Sequence, residues 1–197
     1  ESKSEMTINA GTIAVNSRDD GLNSSSHMYI KGGDITVVAP GNDAIDSNGD
    51  MYISGGTIRA FGASAPEGGI DANEEENYSV YFTGGTLIAV GGNNSVPSSS
   101  ASTQAYVTGS GSVTAGSTVS LKSGDTVLAE FTVPDNYTSN GGGLHEPGGG
   151  PGGWGGRGSS ILITCAGLTS GSSYTLVNGS SSSSVTARLT GGGSGRP

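Results

Sequence analysis

Hydrophobic and polar residues alternate along the first half of the chain in a phrase that occurs four times. Each copy has two short alternating stretches on either side of a Gly-Gly or Ala-Gly pair, and the copies occupy residues 6–15, 28–37, 51–60 and 80–89. Alternation with a period of two predicts short β-strands, and the glycine pair predicts a sharp bend between them. The repeated unit is therefore predicted to be strand, corner, strand.

The spacing of the copies predicts how they are assembled. They begin 22, 23 and 29 residues apart, which is too close for separate domains and typical of the turns of a solenoid. A second, weaker phrase between the copies predicts a third strand, and it occupies residues 19–23, 42–46, 67–71 and 93–97. Residues 1–97 are therefore predicted to form about four coils of a parallel β-helix.

Stacking the coils in register would place equivalent side chains in columns about 4.8 Å apart. An amphipathic helix is the rival interpretation, but the glycine pairs and the bias towards Ile, Val and Thr disfavour it. Five columns are wholly apolar and are predicted to form the core: Met6, Met28, Met51 and Val80; Ile8, Ile30, Ile53 and Phe82; Ile13, Ile35, Ile58 and Leu87; Val15, Val37, Ala60 and Ala89; and Leu22, Ile45, Ile70 and Val96.

The second half of the chain follows a different pattern. After a Ser-rich linker at 98–103, residues 104–190 are predicted to form a small antiparallel β domain. A Gly- and Pro-rich segment at 139–158, which contains Trp154, predicts a mobile loop, and the serine run at 180–184 and the tail at 191–197 are predicted to be flexible. The predicted strands of this domain are 104–112, 117–122, 126–134, 160–166, 173–177 and 185–190.

Charge and composition limit the classes of partner. Residues 1–92 hold thirteen acidic and four basic residues, so the whole net charge of -9 falls on the predicted coils. Nucleic acid is excluded as a partner because its phosphates need a basic surface, and no apolar run is long enough to span a membrane. The low charge content of 13% and the abundance of Gly and Ser are typical of secreted or cell-surface β proteins. Cys165, the single cysteine, is predicted to be a small buried apolar residue.

Acidic side chains recur where stacking would bring them together. Asp20 would lie beside Asp43, and Asn23, Asp46 and Asp71 would share a column. Two carboxylates about 5 Å apart repel by roughly 3 kcal/mol at an effective dielectric near 20, and a bound cation would remove that cost. Ca²⁺ fits best because it accepts carboxylate, amide and carbonyl oxygens in a flexible shell. The alternative is that these side chains only shape the turns by accepting backbone hydrogen bonds.

One outward column carries Tyr29, Tyr52 and Tyr81 on successive coils. A strip of aromatic rings with hydroxyls is suited to carbohydrate, and the neighbouring Lys31 and Arg59 would hold a uronate carboxylate. Two other interpretations stay open. An aromatic ladder stabilises a sheet without any ligand, and the rings could be buried under the second domain.

Four outward apolar residues are better placed than the tyrosines for packing against the second domain. Because a solenoid wall with apolar side chains needs a cover, they are predicted to lie beneath it. These residues are Val38, Phe61, Ile88 and Val90.

The ordered phrases resemble those of a known family. Asp-Gly-Leu-Asn at 20–23, Asn-Asp-Ala-Ile-Asp-Ser-Asn-Gly at 42–49, Ile-Ser-Gly-Gly-Thr-Ile at 53–58 and Phe-Thr-Gly-Gly-Thr-Leu-Ile-Ala-Val-Gly-Gly at 82–92 resemble the bacterial carbohydrate-binding, polysaccharide-lyase-like β-helices. The resemblance extends from residue 1 to about 190. It implies a right-handed parallel β-helix, export from the cell, calcium in the coils at Asp20, Asp43, Asp46 and Asp71, and binding of polysaccharides, including acidic ones. The last copy departs from the pattern because residues 93–97 contain no acid.

Three functions follow from these expectations. The leading one is a non-catalytic, calcium-stabilised carbohydrate-binding module that acts outside the cell or at a bacterial surface, with no organic cofactor. The second is a structural subunit of a surface filament or adhesin that self-associates through an open coil end near Met6. The least favoured is a polysaccharide lyase, because Lys31 and Arg59 have no sequence neighbour that would lower the pKa of either.

Overall fold

The computed structural model describes residues 1–98, 101–138 and 159–191 of the 197-residue chain. The predictions for the loop at 139–158 with Trp154, for residues 99–100 of the linker and for 192–197 of the tail lie outside the described residues. Within the described part the protein is all-β, with one 3₁₀ turn at Glu74–Glu76 and no α-helix. No helix in this part is both long and apolar enough to cross a membrane.

The described residues contain fifteen strands in three sheets. In chain order they are β1 Met6–Ile8, β2 Thr12–Asn16, β3 Leu22–Ser24, β4 Met28–Ile30, β5 Asp34–Val38, β6 Ile45–Ser47, β7 Met51–Phe61, β8 Ile70–Asp71, β9 Val80–Gly91, β10 Tyr106–Ser110, β11 Thr118–Ser123, β12 Thr126–Thr132, β13 Ser160–Thr164, β14 Ser173–Asn178 and β15 Ser181–Thr186.

Successive copies of the repeat pair in parallel and in register. β1, β4, β7 and β9 form one ladder, β2, β5 and the second halves of β7 and β9 form another, and β3, β6 and β8 form a separate sheet. Four predicted columns are paired through all four copies, as in Met6, Met28, Met51 and Val80. In the fifth column the pairing stops at Ile70, although Val96 still packs against the same core. The predicted register is confirmed.

The corners of the repeat depend on glycine. The second residue of each pair is a glycine with a positive φ, from 80° at Gly85 to 107° at Gly11, a region that other residues rarely adopt. In the third and fourth copies the corner lies inside one long strand, β7 or β9. The glycine pair therefore bends the strand and turns both of its halves towards one core.

The second half of the chain differs from its prediction. Its strands do not form one antiparallel unit, because β13 pairs antiparallel with β9 and β10 pairs with β13, which extends the ladder of the repeats. The other four form a separate antiparallel sheet in the order β12, β11, β14, β15. Leu162 of β13 packs into the core of the repeats, while Ile161 and Ile163 face a second core. Burial on both faces explains the continuous apolar run of β13.

The second core lies between the repeats and the four-stranded sheet. Val38, Phe61, Ile88 and Val90 are all buried in it, as predicted. The Phe61 and Tyr137 rings lie 5.3 Å apart, and the Tyr137 hydroxyl donates a hydrogen bond of 3.0 Å to the Gly62 carbonyl oxygen.

Two smaller predictions have opposite outcomes. Cys165 is buried, as predicted, and burial raises the pKa of its thiol to about 11. The prediction of a flexible serine run at 180–184 is wrong, since residues 181–184 belong to β15 and pair with β14. Backbone pairing in β15 does not need apolar side chains, so four exposed serines are accommodated.

Candidate functional site

The three tyrosines of the outward column form a continuous stack. The Tyr29 and Tyr52 ring centroids are 5.0 Å apart at an interplanar angle of 5°, and those of Tyr52 and Tyr81 are 4.8 Å apart at 11°. All three side chains belong to half-buried residues on the first ladder. The inner ring faces therefore cover one another, and each half-buried residue keeps part of its surface exposed.

The two basic residues predicted beside the tyrosines lie in different surroundings. The Lys31 ammonium is 5.6 Å from the centroid of the Tyr29 ring, which is cation-π distance. Arg59 instead forms an ion pair with Asp34, and its guanidinium lies 5.9 Å from the Phe131 ring of β12. The structure thus joins Lys31 to the tyrosines and directs Arg59 towards the four-stranded sheet.

The acidic turns form a hydrogen-bonded column on the β3, β6, β8 sheet. Asn23 is paired with Asp46 and Asp46 with Asp71, as predicted. The Asn23 amide donates to the carboxylates of both Asp20, at 2.9 Å, and Asp46. Burial raises the pKa of Asp46 to about 7, with smaller contributions from the charges of Asp20 and Asp71. Burial also raises the pKa of Asp20.

Asp43 is the most deeply buried member of the predicted metal set. Only 8% of the residue is exposed, and its carboxylate accepts a hydrogen bond of 2.6 Å from the Gly68 N–H. The pKa of Asp43 is raised to about 9, mainly by burial and also by the charges of Asp71 and Glu67. At neutral pH this group therefore needs either a proton or a nearby cation.

Asp43 opens into a polar cleft of about 690 Å³ between the turns of the last three copies. The charged residues of its lining are all acidic. Asp71 in this cleft accepts hydrogen bonds from the Ala72 N–H, at 2.9 Å, and the Ser95 hydroxyl, at 3.0 Å. The lining consists of Asp43, Pro66, Glu67, Asp71, Glu74, Glu75, Gly92, Asn93, Asn94, Ser95 and Ser160.

The acidic residues thus accept hydrogen bonds that shape the turns, as the alternative interpretation expects. Among the residues that the structure describes, no three Asp, Glu, His or Cys side chains are grouped closely enough to hold a metal ion. A calcium shell in this region would therefore need amide, hydroxyl or backbone carbonyl oxygens in addition to carboxylates. Asn23, Asn94 and Ser95 provide such oxygens beside the acids.

A comparison with protein families bears on the class of partner. Residues 1–145 match the family described as carbohydrate-binding domain-containing protein. The chain belongs to this family. No curated protein and no solved structure matches the chain.

The carbohydrate-binding family match covers all four copies of the repeat. It therefore includes the tyrosine stack and the acidic turns, while β13, β14 and β15 lie beyond it. Membership supports a polysaccharide as the partner and a non-catalytic binding role. The matched residues also include β10, β11 and β12, so the match by itself does not say which face binds the ligand.

Three residues next to the tyrosines were missed in the sequence analysis. Asp50 accepts hydrogen bonds from the Tyr52 hydroxyl, at 3.1 Å, and the Ser79 N–H, at 3.0 Å, and its own N–H donates to His27 Nδ1 at 3.0 Å. The His27 and Tyr78 rings meet edge to face at 5.8 Å. His27 and Asp50 both directly precede a Met-Tyr pair, so the repeat contained the signal. Tyr78 lies in the longer segment that precedes the last copy, so no repeated position indicated it.

Proposed function

We propose that the protein is a non-catalytic carbohydrate-binding module whose polysaccharide lies against the tyrosine face, defined as Tyr29, Tyr52, Tyr81 and Lys31. The observation that carries this proposal is the stack of three half-buried rings at intervals of 4.8 to 5.0 Å, within the part of the chain that matches a carbohydrate-binding family. The interval is close to the length of one sugar ring, so successive sugars would meet equivalent ring edges and hydroxyls. Amphipathic rings of this kind bury the C–H face of a sugar while their hydroxyls stay hydrogen-bonded.

Replacement of the tyrosines tests this proposal. Tyr29→Ala with Tyr81→Ala removes both outer ring faces and is expected to reduce polysaccharide affinity by about tenfold or more, which corresponds to about 1.4 kcal/mol. The measurement is binding to an array of polysaccharides, followed by affinity gel electrophoresis on those that bind. Thr7→Ala is the matched control, because Thr7 is exposed and occupies the same column in the first copy without a ring. Unchanged binding by the double variant would place the ligand on another face.

The architecture that we propose is a right-handed parallel β-helix closed at one end by β13 and β10. Three sets of in-register parallel strands support it, two with a member in all four copies and the third with a member in the first three. Corner glycines with positive φ between the first and second sets also support it. An experimental structure that places the three sets on separate layers rather than around one core would contradict it.

We also propose that calcium stabilises the acidic turns, with Asp20, Asn23, Asp43, Asp46 and Asp71 as the candidate ligands. Two features support this. Asp43 and Asp46 are carboxylates whose ionised forms are disfavoured by burial, and Asn94 and Ser95 in the cleft that Asp43 lines carry oxygen atoms of the kind that calcium prefers as ligands. The melting temperature with EGTA and with excess calcium measures the contribution.

The proposed location is the outside of the cell or the bacterial cell surface. The Gly- and Ser-rich composition with 13% charged residues and the polysaccharide partner support it. Fractionation of the producing cells, with detection of the protein by antibody, tests it. Recovery only from the cytoplasm would contradict it.

Binding of acidic polysaccharides remains a prediction. It had two grounds, the family resemblance and the joint action of Lys31 and Arg59 on a uronate, and the second is weakened because Arg59 is paired with Asp34. Lys31 alone would then provide the positive charge at the tyrosine face.

A second candidate function is self-association. β1 and β2 are each paired on one side only among the described residues, and Met6, Ile13 and Val15 at that edge are partly exposed. An unpaired strand edge next to apolar side chains is a template for pairing with another strand. Light scattering over a range of protein concentrations is expected to show growing particles if copies pair there. A constant monomeric mass would reject this function.

A further inference from the structure

His27, Asp50 and Tyr78 form a compact surface cluster, which we call the polar corner. Asp50 lies at its centre, since it is hydrogen-bonded to His27 through its backbone and its carboxylate is 3.7 Å from the His27 Nδ1 atom. Tyr78 meets the His27 ring edge to face. The side chains of His27 and Asp50 are 35% and 19% exposed, and Tyr78 is 37% exposed. The corner is therefore preformed and still open to a ligand.

The polar corner is continuous with the tyrosine face. The Tyr52 hydroxyl donates to the Asp50 carboxylate at 3.1 Å, so the middle ring of the stack is bonded directly to the corner. Tyr29 and Tyr81 lie parallel to Tyr52. One surface thus combines the edges of three stacked rings with a carboxylate and two further rings.

The chemistry of this surface suits a sugar with free hydroxyl groups. Each Asp50 carboxylate oxygen already accepts one hydrogen bond, from the Tyr52 hydroxyl or the Ser79 N–H, and has a second lone pair for a sugar hydroxyl. His27 Nδ1 accepts from the Asp50 N–H, so the neutral imidazole is a donor at its second nitrogen. The Tyr78 ring provides apolar area beside these polar groups. A few fixed polar groups among aromatic rings are the usual composition of a small-molecule site.

The charge of the surface distinguishes between classes of sugar. Asp50 is acidic, the Glu74–Glu76 turn lies just before Tyr78 in the chain, and the repeats carry the whole net charge of -9. Lys31 is the basic residue that the structure places against the rings. A uronate at the polar corner would be repelled by Asp50, whereas a neutral hydroxyl would be bound by it.

We propose that the polar corner is a second contact zone for the polysaccharide on the tyrosine face, and that Asp50 makes this zone select neutral sugars over uronates. The proposal rests on the proposed function, because it assumes that the tyrosine face binds a glycan. It assigns a recognition role to three residues that the repeat pattern does not single out as a group. Asp50 is the specificity-determining residue, and Tyr78 provides aromatic contact area.

The test compares paired oligosaccharides that share a linkage and differ only in a neutral or a carboxylate group at C6, printed on one array in buffer with EGTA. The wild-type chain is expected to retain the neutral member of a pair more strongly. Asp50→Asn keeps an acceptor for the Ser79 N–H but removes the charge, and it is expected to reduce this preference by about tenfold. Tyr78→Ala is expected to reduce neutral-sugar affinity about fivefold. Asp125→Asn, the same charge change at an exposed turn of the four-stranded sheet, is the matched control.

The outcomes separate the two proposals. If Tyr29→Ala with Tyr81→Ala abolishes binding while Asp50→Asn and Tyr78→Ala match the control, the tyrosine face stands and the polar corner is rejected. A wild-type preference for uronates in EGTA also rejects it. If no glycan is bound by the folded wild-type chain, the proposed function itself fails. Melting temperatures within about 2 °C of wild type show that the variants are folded, since that corresponds to less than about 1 kcal/mol for a chain of this size.

Discussion

The Gly62→Ala variant is expected to lose the native fold. A Cβ atom at Gly62 would stand 1.6 Å from the Gly68 carbonyl oxygen and 3.0 Å from the Ala44 backbone nitrogen. Both are backbone atoms, so no change of rotamer can relieve the contact. The Gly62 N–H is also bonded to the Val90 carbonyl oxygen at 2.8 Å, and its carbonyl oxygen accepts from Tyr137 at 3.0 Å. The segment is held from both sides, so the expected cost exceeds the roughly 1–3 kcal/mol that is usual for overpacking a core.

Urea unfolding followed by near-ultraviolet circular dichroism measures this effect. Gly124→Asn is the control, because Gly124 has a φ of 57° with no atom within 4 Å of its added Cβ, and asparagine tolerates the left-handed region. The control is expected to change the free energy of unfolding by less than about 1 kcal/mol. A Gly62→Ala protein with the wild-type urea midpoint would show that the coils are less closely packed at this point than the structure has them.

Much of the repeat could be predicted because two periods act together. Alternation determines which side chains face inward, and recurrence of the phrase determines which residues pair. The columns through Ile53 and Ile58 could therefore be predicted from the sequence alone. The close approach at Gly62 could not be predicted, because a short distance between two backbones leaves no pattern beyond a glycine. The pairing of β13 with β9 was equally hidden. An apolar run such as Ile161 to Ile163 indicates burial on both faces but not which strand lies beside it.

The candidate site was predicted in part for the same reasons. The tyrosine column and the acidic column follow from register and are present in the structure. The partner of Arg59 also follows from register, because Asp34 lies diagonally opposite Arg59 on β5, but a diagonal pair is less evident in the pattern than a column. Asp50 and His27 lay in a repeated position, yet they share no chemistry and so did not stand out as a column. The position of Tyr78 could not be predicted, because it depends on the path of the irregular turn that precedes it.

In EGTA, the stability of the protein is expected to fall steeply as the pH rises from about 5 to 9. The pKa of Asp43 is raised by burial from 3.8 to about 9, so the folded protein holds a proton that the unfolded chain releases at low pH. The stabilisation is complete below about pH 4 and is lost as the pH rises through about 9. Over that range the free energy of unfolding falls steadily with pH, because the folded protein keeps a proton that the unfolded chain has released. Asp46, with a pKa of about 7, acts in the same direction.

Asp43→Asn separates this effect from other titrations. The amide keeps an acceptor for the Gly68 N–H and cannot ionise, so the variant is expected to show a flatter pH profile and to be more stable than wild type at pH 8 in EGTA. Urea midpoints from pH 5 to pH 9 provide the measurement. The groups that face Asp43 are Glu67 and Asp71, both acidic, so neither can replace the proton. If the urea midpoint of the variant depends on pH as it does in the wild type, Asp43 is not the cause of the pH dependence.

Calcium is expected to reverse the difference in stability between the wild type and Asp43→Asn at pH 8, so that the wild type becomes the more stable of the two. A cation binds the ionised carboxylates and competes with protons, so calcium should raise the melting temperature of the wild type strongly at pH 8 and little at pH 5. At a hundredfold excess over Kd the gain is about 2.7 kcal/mol, or roughly 5–10 °C for a chain of this length. Asp43→Ala with Asp46→Ala should lose most of that gain, and Asp125→Asn should keep it. Equal melting temperatures of the wild type in EGTA and in calcium at pH 8 would leave the acidic residues as turn formers that are neutralised by protons alone.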